Sequence, residues 1–503
     1  MINLKEVLST FTKEQQQDFL SYLDKKNKRK DTKNCQLVNL LLEDNLSSKE
    51  ISNKLYGKQN KAALHALRKR LFQSIIDFTA NTSMKEENSI DILLIKNILS
   101  ARYFLKKGQL KVGYQILDKT IVTANEYQLF AILNEVYHTK IQYAHLNPDI
   151  NLDKLIADFK ENQNRLVLED NLNIAYAKIR TSLANYRQNK SNIDIKKLID
   201  VVLKEQNITI SDSLSFKSLY QIIQITSISS AQKFDYYNIE EFIIETYQVI
   251  QNHTSKDKQL NYHLEVLYLI ANVLFRNKKF EESENYLKLM LVYMNAERKK
   301  YYNDFIQKYD LLQALNLNYT NKQVEAISLL EPYIDKKNTD IVAQLDFTLS
   351  LIVFYYQHKS LEKAQKMVSK LYHTDKWYIE KAGIVWTIKK NLIEILLQID
   401  LGNIDLVDSR LKSFKRNYFS NLTEINQEKV ITYLKLVEIY YKNPEIAITA
   451  TFKEKVQTSF NWLDSKKEDI FMMSFFAWLK AKMTKQDIYV VTLNMIDNQK
   501  REI

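Results

Sequence analysis

Apolar residues return every third or fourth position along most of the chain, and short polar runs interrupt them. The pattern is clearest between His263 and Tyr293. Leu264, Leu267, Ala271 and Leu274 fall at i, i+3, i+7 and i+10, one face of a helix. Arg276, Asn277, Lys278 and Lys279 break the period as a polar turn. Phe280 restarts it, and Ser283, Leu287 and Met290 continue the stripe. The spacing predicts two helices folded back on each other. The small residues Ala271 and Ser283 stand where their backbones would cross.

The stretch resembles the tetratricopeptide repeat (TPR). That family has a small residue at repeat position 8, a large apolar one at 11 and a turn near 15. A small residue follows at 20, with apolar residues at 24 and 27. With Leu264 as position 1, these are Ala271, Leu274, Lys278, Ser283, Leu287 and Met290. The family's tryptophan at position 4 is replaced by Leu267. Further matches place Ala101, Phe104, Gly108, Gly113, Leu117 and Thr120 at the same positions. Others centre on Ala314, Ile352 and Ile395. The last four position-8 residues are 43, 38 and 43 apart, against a repeat of 34. Helices longer than the family's would account for the excess. The resemblance implies an all-α fold: a TPR-like right-handed α-solenoid of helical hairpins, preceded by a small N-terminal helical domain.

Four segments are expected. Residues 1–85 form a basic helical domain, with helices over 11–23, 36–42, 47–55 and 61–78. Thr12 is a candidate cap for the first, and Ser47 or Ser48 for the third, with Glu50 in its first turn. Lys25, Lys26, Lys28, Arg29, Lys30 and Lys33 make a basic linker. The segment from Ser47 to Ile75 resembles a helix-turn-helix with a basic second helix. Residues 86–250 hold N-terminal helical repeats, including helices at 129–144, 152–167, 172–186 and 193–204. The polar run 251–259 is a candidate hinge. Residues 260–420 carry the TPR-like repeats. Residues 421–503 form a C-terminal helical cap, in which Trp462, Phe471, Phe475, Phe476 and Trp478 would cover the end of the stack.

Composition narrows the function. Only 5 Gly and 3 Pro occur in 503 residues, which argues against β-rich folds and against a glycine-rich phosphate loop. Cys35 is the single cysteine, so no intrachain disulfide or cysteine-based zinc site is expected. The seven histidines show no metal-ligand spacing, and no nucleophile motif appears. The reading is therefore non-enzymatic, with no cofactor. No signal sequence or membrane span is evident, which implies a cytoplasmic protein. The net charge is +12, and residues 1–85 hold 16 basic against 9 acidic side chains, a net +7. That asymmetry suits nucleic acid, and Lys58, Lys61, Arg68, Lys69 and Arg70 are its candidates.

In the TPR family, positions 2, 5, 9 and 12 line a concave, peptide-binding groove. Carried over, these include Arg102 in the first repeat and Glu265, Tyr268, Asn272 and Phe275 in the central one. Lys308 and Asn318 come from the next, and Asp346 and Tyr356 from the third. The set implies a protein or peptide partner. The family's clamp for chaperone tails is disfavoured, because Tyr268, Leu312 and Asp346 stand where it needs basic or amide side chains. The expected function is a non-catalytic scaffold or adaptor. The alternatives are a DNA-binding regulator with a peptide-sensing solenoid, and an RNA- or ribosome-associated factor.

Overall fold

The computed structural model describes residues 4–11, 13–26, 33–42, 46–86, 90–189, 195–211, 214–233, 236–253, 256, 258–334, 340–424, 428–459 and 469–497. Thr12, Lys28, Arg29, Lys30 and Trp462, singled out above, lie outside them. Among the described residues the regular structure is entirely helical. The chain divides into two compact units, Met1–Ala124 with Ala131–Leu155, and Asn125–Phe130 with Ile156–Ile503.

The first unit starts with α1 (Leu4–Ser9), which the sequence reading missed, α2 (Lys13–Lys26), α3 (Lys33–Leu42), α4 (Ser48–Tyr56) and α5 (Lys61–Glu86). Leu8, Phe19, Leu37, Val38 and Leu71 form their common core. Ser47 caps α4 as its sequence suggests: its hydroxyl accepts from the Glu50 amide, and the Glu50 carboxylate accepts from the Ser47 amide at 2.7 Å. Gly57 ends α4 at φ 68°, and the buried Ser52 hydroxyl accepts from the Asn60 amide at 2.8 Å, fixing the turn into α5. A hairpin follows, α6 (Ile90–Lys106) and α7 (Leu110–Glu126), then α8 (Phe130–Tyr143). A Cβ on Gly113 would lie 2.5 Å from Leu105 Cγ, so close packing of α6 on α7 requires glycine there.

The chain continues through α9 (Leu152–Asn189), α10 (Ile195–Glu205), α11 (Phe216–Lys233) and α12 (Tyr237–Gln251). The two helices expected at 152–167 and 172–186 are thus one, since no glycine or proline interrupts them. The hairpins follow: α13 (Leu260–Arg276) with α14 (Phe280–Met294), α15 (Tyr302–Tyr319) with α16 (Gln323–Leu330), and α17 (Ile341–Gln357) with α18 (Leu361–Ser369). After them come α19 (Asp375–Ala382), α20 (Ile384–Leu401), α21 (Ile404–Glu424), α22 (Glu428–Lys442), α23 (Ala450–Ser459), α24 (Ile470–Thr484) and α25 (Ile488–Asp497). The helices α11, α13, α15, α17 and α20 pack side by side in one row, while α12, α14 and α16 each bridge to the next member. Ala271 and Ser283 meet at the crossing they were expected to occupy, where the Ser283 hydroxyl donates to the Ala271 carbonyl at 2.8 Å. The long spacings have two sources besides long first helices: a 3₁₀ turn at Glu297–Lys299, and α19, inserted between α18 and α20.

One turn recurs. Gly108, Lys278, Asn321, Lys359 and Gly402, all at repeat position 15, have positive φ between 57° and 77°. The next residue's amide reaches back five positions each time, for example Lys279 to Leu274 at 2.9 Å and Asn403 to Gln398 at 3.1 Å. This is the left-handed C-terminal closure that glycine favours. A Cβ on Gly402 meets nothing within 4 Å, so the cost of a side chain there is purely conformational. Gly402→Ala is expected to lower the urea unfolding free energy by about 1 kcal/mol, and Asn321→Gly to raise it by a few tenths to about 1 kcal/mol.

Charges are buried between α19, α20 and α21. Lys390 and Glu394, each 5% exposed, pair at 3.0 Å, and Arg410 reaches Glu394 at 2.9 Å. Asp375 accepts from Tyr418 at 2.6 Å and from Asn391 at 3.1 Å. On either side of the candidate hinge, Ile250 and Leu260 belong to one core. His253 and Gln259 are buried, bonded to the carbonyls of Leu214 and Tyr127.

Candidate functional site

Four neighbouring helices, α13, α15, α17 and α20, turn side chains toward one cavity of about 210 Å³. Tyr268 and Asn272 come from α13, Leu311 and Leu315 from α15, and Asp346, Leu349 and Val353 from α17. Trp386 and Lys389 come from α20. Their spacing of three or four residues on each helix points them the same way. The walls are mainly apolar, with a few polar groups among them.

The far wall belongs to α24. Two of the aromatic residues expected in an end cap, Phe471 and Phe475, line this cavity. Phe471 sits 4.3 Å from the Arg276 guanidinium and 4.1 Å from the Lys389 ammonium, with Phe275 at its edge. Asp469, whose side chain is fully buried, pairs with Arg276 at 2.8 Å and also accepts from the Phe471 amide, capping α24. Tyr319 bonds Ser474 at 2.9 Å. Farther along, Asp400 accepts from the Trp478 indole at 3.2 Å, from Lys482 at 2.6 Å and from Tyr356 at 2.5 Å. Tyr489 of α25 donates to the Asn318 carbonyl at 2.6 Å. No residue of α24 from Ile470 to Met483 is exposed. Such a helix is apolar on all sides because all sides are covered.

Burial sets the electrostatics. It pushes the Asp346 carboxyl up to about 6, against the pull of Lys389. Burial, with Arg276 nearby, brings the Lys389 ammonium down to about 8, opposed by Asp469 and Asp346. Burial also opposes the charge of Arg276, but Asp469 and Tyr236 more than offset it, and the guanidinium titrates above its ordinary value. The signs differ in their effect on stability. Asp346 takes up a proton on folding between its unfolded value of 3.8 and about 6, so stability falls as pH rises through that window. Lys389 releases one between about 8 and 10.5, so stability rises through that window. Asp346→Asn is expected to abolish the acid-side fall and to raise stability at pH 7 by up to about 3 kcal/mol. Urea midpoints at pH 4.5 and 6.5 check it: the wild type should lose stability between them, the variant should not.

The groove residues named from the sequence do not share one environment. Tyr268, Asn272 and Asp346 line the cavity. Glu265 and Lys308 form an ion pair at 2.5 Å beside it, with the Lys308 ammonium over the Tyr268 ring. Phe275, Asn318 and Tyr356 are buried and touch or lie under α24 and α25. Arg102 belongs to the first unit, where it pairs with Glu135 at 2.6 Å and donates to Thr139. Also in that unit, Lys58, Lys61, Lys69 and Arg70 are exposed, while the half-buried Arg68 donates to the Ser48 hydroxyl at 3.2 Å.

The sequence reading missed Arg276, Trp386, Lys389 and Asp469. Arg276 and Lys278 read as a solvated turn, yet Lys278 is 6% exposed and its ammonium lies 3.7 Å from Met473 Sδ. Two adjacent lysines, Lys389 and Lys390, in the middle of the largely buried α20 were the available signal. No helix among the described residues is long and apolar enough to cross a membrane. Among known proteins, no family model and no curated sequence matches the chain.

Proposed function

We propose that the chain is a non-catalytic scaffold of the cytoplasm: a TPR-like, right-handed α-solenoid whose inner face binds a protein or peptide partner. The observation that carries this reading is the alignment of Tyr268, Asn272, Leu311, Leu315, Asp346 and Leu349 from three successive first helices on one face. Peptide recognition by helical repeats needs such a surface, apolar with a few fixed polar groups. α24 already covers part of it, so the docking area is the portion around Glu265, Tyr268 and Lys308. A pull-down from native lysate with nuclease present tests the reading. The expected result is a protein partner recovered by the wild type and lost with Lys308→Glu or Tyr268→Ser. Retention of the partner by both variants, or its loss on nuclease treatment, would overturn it.

A second reading is nucleic-acid binding by the first unit. It is favoured by the exposure of Lys58, Lys61, Lys69 and Arg70 around the turn and along α5. It requires an affinity that falls steeply with salt, and a shallower salt slope after Lys61→Gln and Lys69→Gln.

A further inference from the structure

An aromatic stack reaches the surface where α19 interrupts the repeats. Tyr372 and His373 stand in the loop between α18 and α19, and Trp377 stands in the first turn of α19. The His373 ring lies on Trp377 with centroids 4.0 Å and planes 18° apart, and Tyr372 lies on His373 at 4.4 Å. Trp377 meets Tyr378 edge to face at 5.2 Å. Tyr378 is fully buried, and its hydroxyl accepts from the His373 amide at 3.1 Å. Thr374 accepts from the Trp377 amide and caps α19. The stack is therefore anchored in the core at one end. Its other end is open: Tyr372 is 78% exposed, with His373 on one face of its ring. A lone apolar side chain on a surface is ordinary. A ring already held in place, with a face free, takes up a planar group with little further loss of freedom.

The surrounding charge selects the ligand. From Lys366 to Lys381 the chain carries four lysines and two acids. Both acids are engaged: Asp375 accepts from Tyr418 and Asn391, and Glu380 pairs with Lys381 at 3.0 Å. The exposed Lys366 and Lys376 pair with no carboxylate among the described residues. A methylated ammonium would be repelled by these cations, and a proline ring or a neutral sugar would leave them unused. A nucleobase on Tyr372 with its phosphates beside the lysines uses both. Bases in a duplex are already stacked on each other, so the strand must be single. We propose that Tyr372 is a stacking site for a base of a single-stranded nucleic acid whose phosphates meet Lys366 and Lys376. The site shares no residue with either surface proposed above.

Fluorescence anisotropy on the full-length chain tests this with two labelled strands of about 12 nucleotides, a length within the range such sites cover. One is oligothymidylate. The other is abasic, with the same phosphates and no bases. The wild type is expected to bind oligothymidylate about fivefold to a hundredfold more tightly, the range for one base on one aromatic ring. Tyr372→Ala should remove that preference, and Tyr372→Phe, which keeps the ring, should retain it. Phosphate contacts elsewhere on the chain serve both strands alike, so the comparison isolates the base. Equal affinity for the two strands, a preference that survives Tyr372→Ala, or no binding of oligothymidylate up to about 1 mM overturns the proposal. Lys366→Gln with Lys376→Gln should make the slope of log affinity against log salt shallower by about 1.4, the share of two phosphates on a single strand. An unchanged slope overturns the proposal too.

Discussion

Asparagine at position 469 is expected to cost about 3–5 kcal/mol, the usual penalty for removing one partner of a buried ion pair. The substitution is nearly isosteric, and asparagine can still cap α24 by accepting from the Phe471 amide. What it removes is the charge opposite Arg276, whose side chain is 17% exposed and lies between Tyr236 and Phe471. That guanidinium would remain desolvated with no anion bonded to it. Hydrogen exchange gives the sharpest measurement. Amides of α24 should lose protection, while those of α2 to α5, in the other unit, keep theirs. A loss below about 1 kcal/mol would mean that water already screens the pair. The double change Arg276→Met with Asp469→Ser removes both charges and keeps a cap. It should recover most of the stability, because apolar replacement of buried pairs is often neutral or better.

Glutamine in place of Glu394 is expected to cost about 3 kcal/mol, nearer the lower end of the same range. Lys390 would keep Asp375 at 3.8 Å and the Asn391 amide oxygen at 3.4 Å as weaker partners. Arg410 is 44% exposed at its side chain and can turn to solvent. The penalty therefore falls on Lys390. Urea unfolding followed by the fluorescence of Trp386, on the same helix, measures it. Adding Lys390→Met to Glu394→Gln should return most of the loss. If it returns nothing, the cost lies in the packing of Glu394 and not in an orphaned ammonium.

Much of the helical framework was legible because it is written locally. A period of 3.6 residues located the hairpin of α13 and α14, the pair Ala271 and Ser283 located its crossing, and Ser47 with Glu50 located the start of α4. The candidate site was legible only in part. Tyr268, Asn272 and Asp346 follow from repeat positions, which count along a single hairpin. The far wall comes from α24, about 200 residues away, and no local period encodes a contact at that separation. Arg276 shows the difficulty best. In sequence it begins a polar turn, Arg276-Asn277-Lys278-Lys279, and solvent is the natural environment for such a run. Its actual partner, Asp469, lies 193 residues on. The pairing of Arg276 with Asp469 and the covering of Phe275, Asn318 and Tyr356 are tertiary facts.

The position of α24 has a consequence during synthesis. A ribosome adding about 5–20 residues per second takes on the order of 10–40 s to travel the 193 residues from Arg276 to Asp469. During that interval Phe275 stands uncovered, joined as they are made by Tyr319, Tyr356 and the wall of leucines. That surface closes only once α24 has been made, so the nascent chain carries it open for the whole of that interval.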